Sequence, residues 1–142
     1  MSESHISDRI RHVIANDRFV GLFGMEVEEA SGNVTRVSAL VAEEFLQAQG
    51  LAHGAFIFAL LDVAFALTVN AEVDAVAVQW SINQFRSATL GDRVTAECRL
   101  LHRGRRLMVV ELRAQNAEGK LLAKGQATAI PLGESVSPGG RC

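Results

Sequence analysis

Residues 55–70 read AFIFALLDVAFALTVN, a run that is apolar on every helical face and holds Asp62 as its one ionisable group. It exceeds the roughly four to eight residues of a buried strand and has no polar stripe, so it predicts a helix enclosed on most sides. Such a helix needs other elements to wrap it. Extended back to Leu51 the run nears the length of a membrane span, but Asp62 near its middle, with His53, Gly54 and Asn70, argues against burial in lipid.

The chain after this helix alternates with period two. Val76, Val78, Trp80 and Ile82 oppose Ala77, Gln79, Ser81 and Asn83, and the phase slips at Phe85, which predicts a bulge or bend near Asn83 and Gln84. Val94, Ala96, Cys98 and Leu100 form the dry face of a next strand, Met108, Val110, Leu112 and Ala114 that of another, and a last strand runs from about Lys120 to Pro131. Gly-containing turns at His102–Arg105 and Asn116–Gly119 join these strands as antiparallel neighbours. Ahead of the helix, strands at roughly Gly24–Ala30 and Val34–Val41 flank Ser31-Gly32-Asn33, a hairpin turn. Ile6, Ile10, Val13 and Ile14 make one face of an amphipathic helix within residues 1–18.

The predicted class is therefore α+β: an antiparallel sheet of about six strands wrapped around one long apolar helix, plus a short N-terminal helix. Residues 1–132 are expected to form a single domain, and the Gly-, Ser- and Pro-rich 133–142 a disordered tail. One sheet covers one side of the helix, so a second copy of the chain is expected on the other, making a homo-oligomer.

The net charge of −2, with 21% charged and 49% apolar residues, offers no electrostatic footprint for nucleic acid. Cys98 and Cys142 form neither a metal-ligand spacing nor a disulfide framework. The N-terminal residues are polar and charged throughout, unlike a secretory signal, and a cytoplasmic protein without membrane attachment is expected. There is no phosphate-binding glycine loop, no zinc-ligand spacing and no nucleophile elbow.

An ionised carboxylate in so apolar a run must find donors or give up its charge, so Asp62 is either a structural anchor paired with a neighbouring turn or an arginine, or a catalytic group. His53 and Gly54 stand where the helix should begin, and backbone N–H groups at a helix N-terminus can face developing negative charge. Alone they also fit a plain helix-entry turn with a capping histidine. Gly54 and Asp62 are eight residues apart, about 12 Å along the axis. One chain cannot easily bring both to one carbonyl, so a shared site would draw them from two antiparallel helices across a two-fold axis.

The run from Gln47 to Ala64, with its Gly50, His53-Gly54 and Leu60-Leu61-Asp62-Val63-Ala64, resembles the signature of hotdog-fold acyl-CoA thioesterases of the phenylacetate-degradation (PaaI-like) family, in the 4-hydroxybenzoyl-CoA thioesterase superfamily. Phe85-Arg86 and Gly91-Asp92 are similar to that family's later motif, and the likeness covers roughly residues 20–132. The resemblance implies a hotdog fold, dimers often paired into tetramers, and hydrolysis of acyl-CoA without a metal or organic cofactor. It implies Asp62 as general base or nucleophile, the Gly54 N–H as oxyanion donor, and His53 as the residue that orients the turn and polarises the thioester. Gln47 stands where the family commonly has Asn, and would hold the attacking water from a position displaced by one methylene. Ala55 replaces a second Gly and narrows the pocket mouth, and Ser87 replaces the usual Pro. Phe58 and Phe65, like Phe56 and Leu67, are available for an acyl slot or for the core. Arg86, and Arg103 and Arg105 at a later turn, are candidate partners for CoA phosphates or plain solvated charges. The alternative function is a non-catalytic acyl-CoA or fatty-acyl binding module of the same fold, which would have no need of the carboxylate. A dehydratase of this fold fits less well, since no Asp and His are paired a few residues apart at one strand-to-helix turn.

Overall fold

The computed structural model describes residues 6–133, so the expected tail beyond Gly133 and the first five residues lie outside the described part. Two helices, α1 (Asp8–Asn16) and α2 (Arg18–Leu22), precede strands β1 (Glu26–Ala30) and β2 (Val34–Leu40). A 3-10 turn at Glu43–Phe45 leads to α3 (Gly54–Val69), then to β3 (Ala75–Gln84), β4 (Arg93–Arg103), β5 (Met108–Gln115) and β6 (Leu121–Pro131). The six strands form one antiparallel sheet in the order β1-β2-β4-β5-β6-β3. The expected class, a hotdog arrangement of sheet around helix, is what the chain adopts.

The sheet wraps α3 because its concave face is apolar: Val37, Ala39, Val94, Ala96, Val110, Leu112 and Ala127 are all fully buried. Alanines on that face let the helix approach closely, and α3 lies mainly across β2 and β4. Eleven of its residues are buried. Three polar side chains are buried among the described residues: the Thr35 and Thr68 hydroxyls are 2.8 Å apart, Thr68 donates to the Ala64 carbonyl at 3.1 Å, and the Ser38 hydroxyl donates to Glu28 and accepts from Arg93 at 2.9 Å. Each buried hydroxyl thus has a partner. Cys98 lies beside Thr68, and burial pushes its thiol up to about 12, so it is an inert core group.

The N-terminal helix predicted within residues 1–18 is broken at Asp17, whose side chain accepts from the Phe19 N–H at 3.0 Å and so starts a second helix. Rings of α2, the 3-10 turn and α3 then stack: Phe23 on Phe45 at 5.0 Å and Phe45 on Phe56 at 4.9 Å. At the other end of α3, Arg9 donates to the Asn70 carbonyl at 2.7 Å and to Asp74 at 2.5 Å. The N-terminal segment thereby runs along α3 from its C-terminal to its N-terminal end.

Among the described residues β3 is an edge strand paired only with β6. Its phase slips between Ala77 and Gln79 rather than near Asn83 and Gln84 as predicted. The bulge turns Val76 and Val78 outward, where they are 44% and 54% exposed, and leaves Ala77, Trp80 and Ile82 facing α3. Gly125 of β6 is required by this pairing, because a Cβ there would stand 2.0 Å from the Ser81 carbonyl oxygen. No helix among the described residues is long and apolar enough to cross a membrane.

Candidate active site

The residues of α3 that the chain leaves less than buried are Gly54, Ala55, Phe58, Asp62 and Ala66. Spacings of three and four from Ala55 onward put the last four on one stripe, so the helix has a single uncovered face and Asp62 sits in its middle. The Asp62 carboxylate makes no hydrogen bond or ion pair with any described residue. Burial pushes its pKa up from the ordinary 3.8, and the negative charge of Asp17 adds to the rise. The structural role considered for this residue, an anchor bonded to a neighbouring turn or an arginine, has no partner to support it here.

The start of α3 is held from several sides. His53 N–H donates to the Phe45 carbonyl and Ala52 N–H to the Ala88 carbonyl, each at 2.8 Å. His53 caps the helix, its Nδ1 accepting from the Ala55 N–H at 3.3 Å. An acceptor at Nδ1 is a lone pair, so a neutral ring carries its hydrogen on Nε2, on the outward side of an exposed residue. The Gly54 N–H meets no acceptor among the described residues, as befits the first turn of a helix. The Gln84 side chain lies over Gly54: its Nε2 donates to the Gly54 carbonyl at 3.4 Å, and a Cβ on Gly54 would stand 3.2 Å from its Oε1. Glycine thus leaves room at this turn for an amide and for close approach to the backbone.

Gln47 is half-buried on the loop before α3, its Oε1 accepting from the Gln49 N–H and its backbone closing the turn through Leu51 and Gly50. Ala55 is exposed at the mouth of the stripe. Phe58 and Phe65 flank Asp62 and meet Trp80 of β3, with ring centroids 4.8 Å and 4.6 Å away. Trp80, Gln84 and Asp17 were not among the site residues read from the sequence. The signal available for the first two was their place on the strand following the helix, once the bulge at Ala77 is known.

The three arginines separate. Arg86 is exposed just beyond Gln84, at the N-terminal end of α3. Arg103 is half-buried at the opposite end, about 24 Å away along a 16-residue helix. It donates to the carbonyls of Gly32 at 3.0 Å and Thr68 at 3.2 Å and pairs with Glu72 at 3.6 Å, which makes it a clamp on the α3 C-terminus. Arg105 is exposed and lines a 510 Å³ cavity with His102, Arg106 and Leu107. Of the two candidates on this hairpin, Arg103 spends its donors on the chain itself, whereas Arg105 makes no hydrogen bond or ion pair with a described residue. Among the described residues no group of three or more His, Cys, Asp or Glu side chains could hold a metal.

An apolar helix wrapped by a sheet, with a free N–H at its start and an unpartnered carboxylate on its open face, has the parts of a hydrolase for activated acyl groups. The chain belongs to the thioesterase superfamily, whose family model matches residues 49–123, and is a thioester hydrolase. Within that superfamily it is PaaI-like. The acyl-coenzyme A thioesterase PaaI of Escherichia coli is 25% identical over 123 residues, covering 86% of this chain and 88% of that one. The structure of that protein, from the phenylacetic acid degradation operon, matches with a TM-score of 0.89 over 94% of this chain and 98% of its own. The phenylacetic acid degradation protein PaaI of Thermus thermophilus is 33% identical, with a TM-score of 0.78 over 82% of this chain and all (100%) of that one. A hypothetical thioesterase from Streptococcus pneumoniae, solved with coenzyme A, is 29% identical with a TM-score of 0.76 over 81% of this chain and 91% of its own.

Proposed function

We propose that the chain hydrolyses an aryl- or aliphatic acyl-CoA to the free acid and CoA, with Asp62 as general base or nucleophile and the Gly54 N–H of a second copy as oxyanion donor. The observation that carries this is the unpartnered, half-buried carboxylate at the centre of the one uncovered stripe of α3. A binding module would gain nothing from such a group and would bear its desolvation. The coenzyme A seen in the S. pneumoniae relative supports CoA as the leaving group.

The thioester carbonyl oxygen accepts from the Gly54 N–H, where the positive end of the helix stabilises the oxyanion as the tetrahedral intermediate forms. As general base, Asp62 takes a proton from the attacking water, the tetrahedral intermediate collapses with cleavage of the C–S bond, and the proton on Asp62 passes to the CoA thiolate. As nucleophile, Asp62 attacks the carbonyl, and the C–S bond breaks to leave an Asp62–acyl anhydride and a thiolate that takes a proton from water. A water molecule then hydrolyses the anhydride to the free acid and the carboxylate. His53, with hydrogen on Nε2, donates toward the carbonyl while its Nδ1 holds the turn. Gln47 is suited to position the water through its free Nε2, since its Oε1 is engaged by Gln49.

Two copies are needed because the donor and the carboxylate of one helix lie about 12 Å apart along its axis. Antiparallel α3 helices meeting along the Ala55–Ala66 stripe bring Asp62 of each toward Gly54 of the other, and the unpaired edge of β3 can continue the sheet between copies. The same two-fold carries Arg105 of one copy toward the Gly54 end of its mate, where Arg86 already stands, and both then face the CoA phosphates.

Release of free thiol from short, long and aryl acyl-CoAs tests the reaction. Mixing two inactive variants, Asp62→Asn and Gly54→Val, tests its division. Random pairing yields mixed dimers with one intact site, and about a quarter of wild-type activity is expected to return. No recovery, with mixed dimers demonstrated, would place both groups of a site in one chain and end this arrangement.

A further inference from the structure

Trp80 is the one tryptophan of the chain, which has no tyrosine. It stands on the α3-facing side of edge strand β3, opposite Ala127. Its ring meets Phe58 at an interplanar angle of 65° and Phe65 at 50°. Those two phenylalanines are seven residues apart, about 10 Å along α3, and Asp62 lies on the turn between them. An indole that reaches both therefore spans the turn of α3 that carries Asp62.

Its setting differs from that of a core plug. The interior aromatics Phe56 and Phe65 are 2% and 3% exposed, whereas Trp80 and Phe58 are only half-buried, on the side where α3 is uncovered. The cross-strand partner of Trp80, Ala127, and the neighbouring Val110 are fully buried. Paired aromatic rings hold one another in place, so the surface they present is stiff. An acyl group whose carbonyl is held at Asp62 has this surface as its neighbour.

We propose that Trp80 is a specificity-determining residue of the thioesterase site, the wall that admits short or flat acyl groups against its ring and stops long straight chains. The proposal rests on thioester hydrolysis at Asp62 and adds to it the shape of the acyl group. Removing the indole opens room for several methylenes, each worth a measurable step in discrimination.

The test compares kcat/KM for butanoyl-, benzoyl- and dodecanoyl-CoA in the wild type, Trp80→Ala and the conservative Trp80→Phe. The wild type is expected to favour the first two over dodecanoyl-CoA by about tenfold or more, Trp80→Ala to move that ratio toward dodecanoyl-CoA by about tenfold, and Trp80→Phe to fall between. A ratio that stays within about twofold in folded variants overturns the proposal, as does a wild type that cleaves all three equally. If Trp80→Ala does not fold, Trp80→Leu and Trp80→Phe carry the comparison. Tryptophan emission supplies a readout independent of turnover, because it reports this one residue. Saturation with the non-hydrolysable S-benzyl-CoA thioether should quench or shift it; bound thioether with unchanged emission overturns the proposal. Absence of thiol release from every acyl-CoA together with an emission change would defeat the hydrolase reading and leave the wall standing.

Discussion

Asp62→Asn should make the protein more stable and nearly inactive at once. Asn keeps the shape of Asp but cannot act as base or nucleophile, and no described residue of the chain makes a hydrogen bond or ion pair with Asp62 that the change would lose. Because burial raises its pKa above 3.8, the folded state favours the protonated acid. The contribution of this group is therefore fully present below about pH 3.8 and is lost as pH rises through the raised folded value. Above that value the ionised, half-buried carboxylate costs on the order of 1 kcal/mol, scaled down from a fully buried polar group. Removing it should lift Tm there by a few degrees, with the gain vanishing toward pH 3. Loss of a positioned base should lower kcat by about 10²–10⁴. The wild-type kcat/KM should rise with pH along an acid limb displaced above 3.8, and Asp17→Asn, which removes the second cause of the shift and keeps a side-chain cap for Phe19, should move that limb down. Thermal melts from pH 3 to 8 and thiol-release rates over the same range are the assays. A Tm that falls in Asp62→Asn would reveal a structural partner for the carboxylate, and turnover within about fivefold of wild type would remove it from the chemistry.

Arg103 and Arg105, on the β4–β5 hairpin, should part company under mutation. Arg103→Ala gives up the bonds to Gly32 and Thr68 and the Glu72 pair, and should cost about 1–3 kcal/mol in denaturant unfolding, whereas Arg105→Ala should leave the unfolding midpoint unchanged and raise KM for acyl-CoA in a salt-sensitive way. An unchanged KM in Arg105→Ala would retire it as a phosphate partner. Gly125→Ala should destabilise by about 3 kcal/mol or fail to fold, because the new methyl meets the Ser81 carbonyl and neither backbone can yield without opening the β3–β6 pair; melting at the wild-type temperature would contradict the packing.

The helix was legible because its signal is redundant: residues 55–70 are apolar at every angle, and no strand of that length would be. β4 and β5 were legible for a similar reason, since apolar and polar residues alternate along most of each between glycine-bearing turns, even though β4 shifts register between Leu100 and His102. The phase of β3 was not. Val76 and Val78 are more apolar than Ala77, yet the register shift at that point turns the valines outward, and such a shift is decided by pairing with β6. Asp62 could be found because a charge in an apolar run is conspicuous whatever surrounds it. Arg103 could not be assigned its clamp, because its acceptors, Gly32 and Thr68, are backbone carbonyls 71 and 35 residues away that leave no trace in side-chain pattern. The same distance problem hid Gln84 and Trp80, whose relation to the helix depends on an edge strand folding back over it.

What ties the chemistry to assembly is the geometry of a helix wrapped on one side. The sheet and the N-terminal segment bury eleven residues of α3 and leave one narrow stripe, too apolar at Ala55, Phe58 and Ala66 to face water and interrupted by a carboxylate that no described residue satisfies. A hydrophobic partner alone would bury Asp62 at severe cost. In the proposed dimer, a second copy laid antiparallel along the stripe would bring to each carboxylate the positive end of a helix and an unclaimed N–H, lowering that cost and leaving a gap for a thioester carbonyl between them. On that proposal, the surface left open in the single chain is the surface that completes the site. Substitutions that crowd the stripe without adding charge beside Asp62, such as Ala66→Gln, should accordingly lower dimer content, read by light scattering, and turnover together.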